Sequence, residues 1–165
     1  MDITIYTLPD GATPPWELLL DADPVRDKVE QFLIKGTCRV ADIQGNIVGV
    51  CVTIPGRATD SLEIINIAVA EAYRRQGIAS RLIEDAEQIA RRKGYTSLEI
   101  GTGNCGLYQM MLYQKCGFRI VGVEPDFFVG RYDQEIMEHG IPCRDMVRLR
   151  KLLDPINPEI PLIKE

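Results

Sequence analysis

Residues 62–70 read Leu-Glu-Ile-Ile-Asn-Ile-Ala-Val-Ala, a run rich in β-branched side chains and too short for a typical helix, which predicts a strand. From Ile78 the period changes. Ile78, Leu82, Ile83, Ala86, Ile89 and Ala90 recur at helical spacing. Arg91, Arg92 and Lys93 follow where a helix C-terminus favours positive charge, and Gly94 fits the position just past the end. Upstream, residues 3–8 alternate as a first strand ended by Pro9-Asp10-Gly11, and residues 16–20 predict a short helix. Asp23-Pro24 predicts an N-cap with proline at the first helical position, and Val25, Val29, Phe32 and Leu33 share one face up to Gly36. Residues 38–44 and 47–54 predict strands joined by a Gly45-Asn46 hairpin turn. Downstream, residues 97–100 predict a strand, 107–115 a helix, and 118–123 with 143–149 a final antiparallel pair. The intervening residues 124–142 form a long loop carrying Phe127, Phe128, Tyr132 and His139, and such loops are usually functional or disordered. The pattern predicts one domain over residues 1–153 and a tail, 154–165, stiffened by Pro155, Pro158 and Pro161.

Composition changes this picture by exclusion. A net charge of −5 without a basic patch argues against nucleic acid and mildly favours cationic substrates. No apolar run reaches the roughly 18 residues of a membrane span, and Met1-Asp2-Ile3-Thr4 lacks a basic signal-peptide start, so a cytoplasmic protein is expected. Five cysteines form no CxxC pair. With Cys38 and Cys51 in predicted strands and Cys116 at a helix end, free or buried thiols in a reducing compartment are expected. The single histidine, His139, makes a metal site an unlikely use of this chain. Arg144, Arg148 and Arg150 share one strand parity and read as a solvated strand face or as an oligomer contact, a homodimer being compatible with either.

The turn between the central strand and its helix carries the chemistry. In Tyr73-Arg74-Arg75-Gln76-Gly77-Ile78-Ala79-Ser80, Gly77 and Ala79 keep the backbone bare where the N–H groups of a helix N-terminus can meet an anion. Pyrophosphate binding is the physical reading. Arg74-x-x-Gly77-x-Ala79 resembles the coenzyme A pyrophosphate motif (Arg/Gln-x-x-Gly-x-Gly/Ala) of the GNAT superfamily of N-acetyltransferases. Asn66-Ile67-Ala68-Val69 resembles that family's central strand, Leu98-Glu99-Ile100 with Asn104 its fifth, and Leu112-Tyr113-Gln114-Lys115-Cys116-Gly117-Phe118 its Leu-Tyr-x-Lys-x-Gly-Phe signature. One departure stands out: Asn104 lies nine residues before Tyr113, where the family pattern usually shows seven.

The resemblance implies an α/β fold of the α+β type: a mixed, mostly antiparallel sheet of about seven strands with helices on both faces and a splay between the fourth and fifth strands. It implies acetyl-CoA as co-substrate, no metal, and transfer to a primary amine by direct attack in a ternary complex. The acceptor stays open between a small-molecule amine and a protein amine. The pantetheine arm is expected to pair with the backbone of Ile67, Ala68 and Val69. The pyrophosphate is expected on Arg74, Arg75, Gln76, Gly77, Ile78, Ala79 and Ser80, with Asn104 as a further contact. Tyr113 matches the tyrosine whose hydroxyl protonates the departing sulfur. Two carboxylates compete for general base, Glu99 placed ahead of Glu63. An unassisted water route is the third option. Phe127, Phe128 and Tyr132 either line an acceptor pocket or cap the core. The alternative function is an acyl-CoA-binding sensor without turnover, against which Tyr113 and both glutamates argue.

A second motif competes. Gly101-x-Gly103-x-x-Gly106 follows a strand and precedes a helix, and Glu124 falls about 20 residues on, as in a dinucleotide fingerprint. Met110 is too bulky for the close helix–strand contact, Glu99 interrupts a strand that would be wholly apolar, and too little chain follows for more βαβ units.

Overall fold

In a computed structural model that describes residues 2–154, the strands are β1 (Thr4–Thr7), β2 (Thr37–Ile43), β3 (Asn46–Pro55), β4 (Ser61–Val69), β5 (Ser97–Gly103), β6 (Arg119–Glu124), β7 (Met137–Glu138), β8 (Ile141–Pro142) and β9 (Met146–Leu152). Seven of them form one sheet in the order β1-β2-β3-β4-β5-β9-β6, while β7 and β8 pair separately as a hairpin. Every pairing in the large sheet is antiparallel except β4 with β5. The mixed, mostly antiparallel sheet of seven strands matches the α+β expectation.

Helices cover both faces because successive strand residues point to opposite sides. On one face α1 (Trp16–Ala22) and α2 (Arg26–Lys35) bury Leu19 and Val29 against Val40, Val50 and Val52. On the other, α3 (Ile78–Arg92) and α4 (Leu107–Lys115) bring Leu82, Ile83, Ala86 and Tyr113 onto Cys51, Ile64, Ile100 and Leu149. Each fully buried aliphatic side chain contributes about 1.5–3 kcal/mol. An Arg39–Asp85 pair at 2.7 Å also ties α3 to β2.

The parallel contact is short and positions the site. β4 and β5 pair only from Ser61↔Ser97 to Ile64↔Ile100. Beyond that, β4 stays with β3 as far as Gly49↔Val69, and β5 stays with β9 as far as Gly103↔Met146. A bulge sits at the parting point: Val52 faces Asn66 and Thr53 faces Ile64, leaving Ile65 as the extra residue. Bulges bend their strand and end pairing. The expected splay is therefore present.

Several boundaries differ from the sequence expectation. The β2–β3 turn is Gln44-Gly45, at φ of 52° and 84°, and Asn46 begins β3. A two-residue hairpin loop of this type needs two left-handed residues in succession. α2 begins at Arg26 because Asp23 Oδ1 accepts from the Val25 N–H at 3.0 Å, closing a separate turn before the helix. β5 runs three residues past Ile100, to Gly103, because β9 continues to pair with it. The long loop contains the β7–β8 hairpin, turned at His139-Gly140 (φ of 54° and 73°). The final strand starts at Met146 because Cys143 is bonded elsewhere. The proline-containing tail beyond Asp154 lies outside the described residues.

The largest correction concerns cysteine. Cys105 and Cys143, 38 residues apart in sequence with Cα atoms 5.2 Å apart, form a disulfide, whereas Cys38, Cys51 and Cys116 are free. Spacing alone could not reveal this pair, because the β5–α4 turn and the segment before β9 meet only in the folded sheet. In denaturant without reductant, three thiols per chain should titrate with Ellman's reagent, and five after reduction. Five before reduction would remove the bond.

Candidate active site

The open side of the splay is built from β4. Ile67 and Ala68 are half-buried there, and Val69 is buried. With β5 gone from this edge, the alternate backbone groups that do not face β3 have no strand partner, and buried backbone polar groups require one. At the end of the same strand the chain passes through Tyr73 and Arg74 into α3. Gly77 sits at the N-cap of α3 with φ of 82°, a left-handed conformation that glycine adopts without strain. No side chain caps this helix and no acidic residue lies in its first turn. Its first backbone bond runs from the Arg81 N–H to the Gly77 carbonyl at 3.1 Å, so the N–H groups of Ile78, Ala79 and Ser80 precede the intrahelical ladder. Nothing lies within 4 Å of where a Gly77 Cβ would stand, leaving the backbone open to a phosphate.

The flanking residues divide their tasks. Arg74 braces the turn: its Nε donates to the Val69 carbonyl at 3.0 Å and its Nη2 to Asp21 at 2.8 Å. Arg75, at φ of 62°, lays its guanidinium over the Tyr108 ring, 5.0 Å from the centroid. Gln76 is exposed, and buried Ile78 anchors the first turn of α3 in the core. Asn104 is largely occupied by the chain itself. Its side-chain carbonyl accepts from the Arg144 and Asp145 N–H groups at 2.9 and 3.0 Å, and its amide donates to the Pro142 carbonyl at 3.1 Å. One amide N–H remains for a ligand.

The two candidate bases lie side by side, Glu63 on β4 opposite Glu99 on β5. Both are buried, yet their surroundings differ. The Glu99 carboxylate accepts the backbone N–H groups of Arg57 (3.1 Å) and Ala58 (3.3 Å) and lies 3.6 Å from Arg150 Nη2. Glu63 accepts no hydrogen bond among the described residues, and its closest cation is Arg148 Nη1 at 3.8 Å. Burial pushes its carboxyl above the ordinary range, against the opposing pull of Arg148 and Arg57. Both glutamates line a cavity of about 310 Å³ with Arg57, Glu124, Arg148 and Arg150.

These four further residues were missed or misread in the sequence. Arg148 and Arg150 face the cavity and pair with carboxylates; of the three arginines read as one strand face, only Arg144 is an exposed surface residue, bound to Asp126 at 2.9 Å. Glu124, the acid of the dinucleotide reading, accepts from Arg57 at 2.6 Å and Arg148 at 3.1 Å. The glycines of that motif serve packing. A side chain at Gly101 would run into Met146 and Arg148, and one at Gly106 into Thr102. Equal parity on β9 was the available signal. It could not be used without the register that sets Arg150 beside Glu99.

Tyr113 is buried on α4 within the core cluster that includes Cys51. Its hydroxyl is held well above the usual phenol range, first by burial and then by the neighbouring Cys51 and Cys116. Cys51 is the strand partner of Ile67, so the tyrosine stands beside the part of β4 that borders the splay. Phe127, Phe128 and Tyr132 form one aromatic cluster, Phe127 meeting Phe128 edge-on with centroids 5.0 Å apart and Phe128 stacking on Tyr132 at 6.1 Å. Phe128 and Tyr132 line a second cavity of about 200 Å³, whereas the Phe127 ring lies 5.4 Å from the Arg148 guanidinium. His139 packs edge-on against Tyr108, centroids 5.3 Å apart. Among the described residues no group of three or more His, Cys, Asp or Glu could hold a metal ion, and no helix is long and apolar enough to cross a membrane.

Residues 5–118 match the family described as acetyltransferase (GNAT) family. An uncharacterized N-acetyltransferase of Bacillus subtilis is 46% identical over 134 residues, 81% of this chain and 86% of its own length. A GNAT family acetyltransferase from Elizabethkingia anophelis, solved with acetyl-CoA bound, superposes with a TM-score of 0.88 at 41% identity, covering 92% of this chain and 98% of that one. A structure described as an IAA acetyltransferase from Bacillus cereus gives 0.87 at 41% identity over 92% of this chain and 100% of its own. The family match over residues 5–118 and the 46% identical relative show that the chain belongs to the GNAT family of acetyltransferases.

Proposed function

We propose that this GNAT N-acetyltransferase, whose co-substrate is acetyl-CoA, transfers the acetyl group directly to a primary amine held in the cavity beside Glu63. The observation that carries this reading is the pairing of an open strand edge and anion-ready helix end with a buried, hydrogen-bond-free carboxylate. In it, the pantetheine arm lies along Ile67, Ala68 and Val69 as a substitute strand, and the pyrophosphate meets the N–H groups of Ile78, Ala79 and Ser80 beside Gly77, with Arg75 and Gln76 at its rim.

Free ammonium groups have pKa values near 10, so a proton must be removed before attack at neutral pH. Glu63 is the better base of the two. Its carboxylate is free of hydrogen bonds and its proton affinity is raised by burial, whereas Glu99 is already committed to two backbone N–H groups. The amine nitrogen then attacks the thioester carbonyl, the C–N bond forms and the C–S bond breaks. The coenzyme A thiolate takes a proton from Tyr113, the second proton lost by the acylated nitrogen restores the phenol by way of solvent, and the proton on Glu63 is released to water as the one net proton of the reaction. The Tyr113 hydroxyl is protonated at neutral pH, as any phenol is, and burial raises its proton affinity further. Direct transfer is further supported by the thiols. Burial pushes Cys38 up to about 11 and Cys51 higher still, so neither is a ready nucleophile.

Two substitutions test the roles. Glu63→Gln should lower kcat/KM by roughly 100-fold or more near neutral pH, and the deficit should shrink as the pH approaches the amine's own pKa. A carboxylate whose pKa is raised works as a base only above that value. The acid limb of the wild-type pH profile should therefore lie above the usual carboxylate range and vanish in the variant. An unchanged profile, with Glu99→Gln impaired instead, would move the role to Glu99. Tyr113→Phe keeps the packed ring and should slow the single-turnover step while acetyl-CoA affinity stays within about twofold. Wild-type single-turnover rates would remove Tyr113 from the mechanism.

A further inference from the structure

The cavity beside Glu63 holds more hydrogen-bond donors than its own carboxylates can use. Each guanidinium carries five N–H donors. Among the described residues, Arg57 gives one hydrogen bond from its side chain and Arg148 gives one, both to Glu124, while Arg150 gives none. The contacts of Arg148 to Glu63 and of Arg150 to Glu99, at 3.8 and 3.6 Å, are too long for hydrogen bonds. The Nε atoms of both arginines are buried without an acceptor. On the acceptor side, Glu99 accepts one backbone N–H on each oxygen, Glu124 is shared between two guanidiniums, and Glu63 accepts none among the described residues. Three glutamates match the three arginines in charge, yet most of the guanidinium donors, the two buried Nε groups among them, meet no acceptor among the described residues.

Strand geometry says where a further acceptor would go. Arg148 and Arg150 alternate on β9 and therefore project to the same face, about 7 Å apart along the strand. Arg148 is opposite Gly101 on one neighbouring strand and Gly122 on the other, so neither strand partner sets a side chain against it; Met146 Sδ reaches over Gly101, and the Phe127 ring lies 5.4 Å from the guanidinium. Arg150 lies opposite Glu99 in the row that continues to Glu63. An oxyanion between the two guanidiniums would thus stand near Glu63, the residue that takes the proton from the attacking amine.

Resting on the reading of this cavity as the acceptor site, we propose that the acceptor is a small zwitterion, an α-amino acid whose carboxylate binds between Arg148 and Arg150 while its amine faces Glu63. A guanidinium pair is the natural partner of a carboxylate, because its forked donors match both oxygens. A volume of about 310 Å³ lies at the small end of ligand pockets and suits one such molecule. A polyamine or a lysine-rich peptide would bring no carboxylate to meet the two guanidiniums whose Nε groups lack an acceptor. At physiological ionic strength charges beyond roughly 8 Å are screened, so the cavity's own groups weigh more in this choice than the net charge of the whole chain.

The test uses the full chain with acetyl-CoA and follows initial rates of thiol release. Acceptors are the twenty common L-amino acids, their α-carboxamides, the matching decarboxylated amines, spermidine and a short peptide with a free N-terminus. The best free amino acid should exceed its own carboxamide at least tenfold in kcat/KM. Arg150→Gln should collapse that ratio through KM while retaining the wild-type thermal shift on adding acetyl-CoA. If that variant does not fold, the wild-type ratio alone decides. A carboxamide, decarboxylated amine, spermidine or peptide that matches or beats the free amino acids would overturn the carboxylate subsite and leave the acetyltransferase reading intact. No thiol release with any amine, despite acetyl-CoA binding, would overturn the acceptor-cavity reading and this inference with it.

Discussion

Everything at this site depends on one failure of pairing. β4 and β5 are held together for four residue pairs and then part, because each keeps a different antiparallel neighbour. The bulge at Ile65 lets β4 turn with β3, and continued pairing with β9 carries β5 away. A sheet interior normally leaves no backbone group unsatisfied. Here an internal strand is given an edge, and an extended ligand bearing amides can complete it. β4 is followed, after a single 3-10 turn at Glu71–Tyr73, by the uncapped end of α3, so in the proposed reading the amide partners and the helix end that would meet the pyrophosphate lie on one stretch of chain.

The second dependency is electrostatic. Below the parting point the paired parts of β4 and β5, with β9 alongside, set acidic and basic side chains in adjoining positions: Glu63, Glu99, Arg150 and Arg148. Their differences come from hydrogen bonding more than from distance. Glu99 is locked by the backbone of the β3–β4 turn, which makes it a fastener for that turn. Glu63 has only loose ion pairing, and burial then raises its proton affinity, which suits a base. Two identical residues at one level of the sheet thus acquire distinct properties.

The fold was largely legible in the sequence, because its signals are local. The switch from a short β-branched run to helical periodicity at Ile78, the Gly77 turn and the Leu112–Phe118 signature each act within about a dozen residues. The start of α2 was misjudged because Asp23 closes its own turn on the Val25 N–H, a choice that propensity cannot distinguish from an N-cap. The Gln44-Gly45 turn was missed because glutamine rarely takes a left-handed conformation. Long-range facts were not available at all. The Cys105–Cys143 bond and the assembly of Arg57, Glu124, Arg148 and Arg150 around Glu63 depend on register between segments far apart in the chain. The extra length between Asn104 and Tyr113 becomes intelligible in the same way, since Asn104 and Cys105 fasten that turn to the segment before β9.

Amide hydrogen exchange with and without acetyl-CoA tests the central claim, that the ligand substitutes for the missing strand pairing. Acetyl-CoA should slow exchange in residues 65–69 of β4 and in residues 77–80 at the start of α3, while residues 61–64, already paired to β5, change little. Protection confined to the helix end, with residues 65–69 exchanging as in the free protein, would contradict the strand-substitution account.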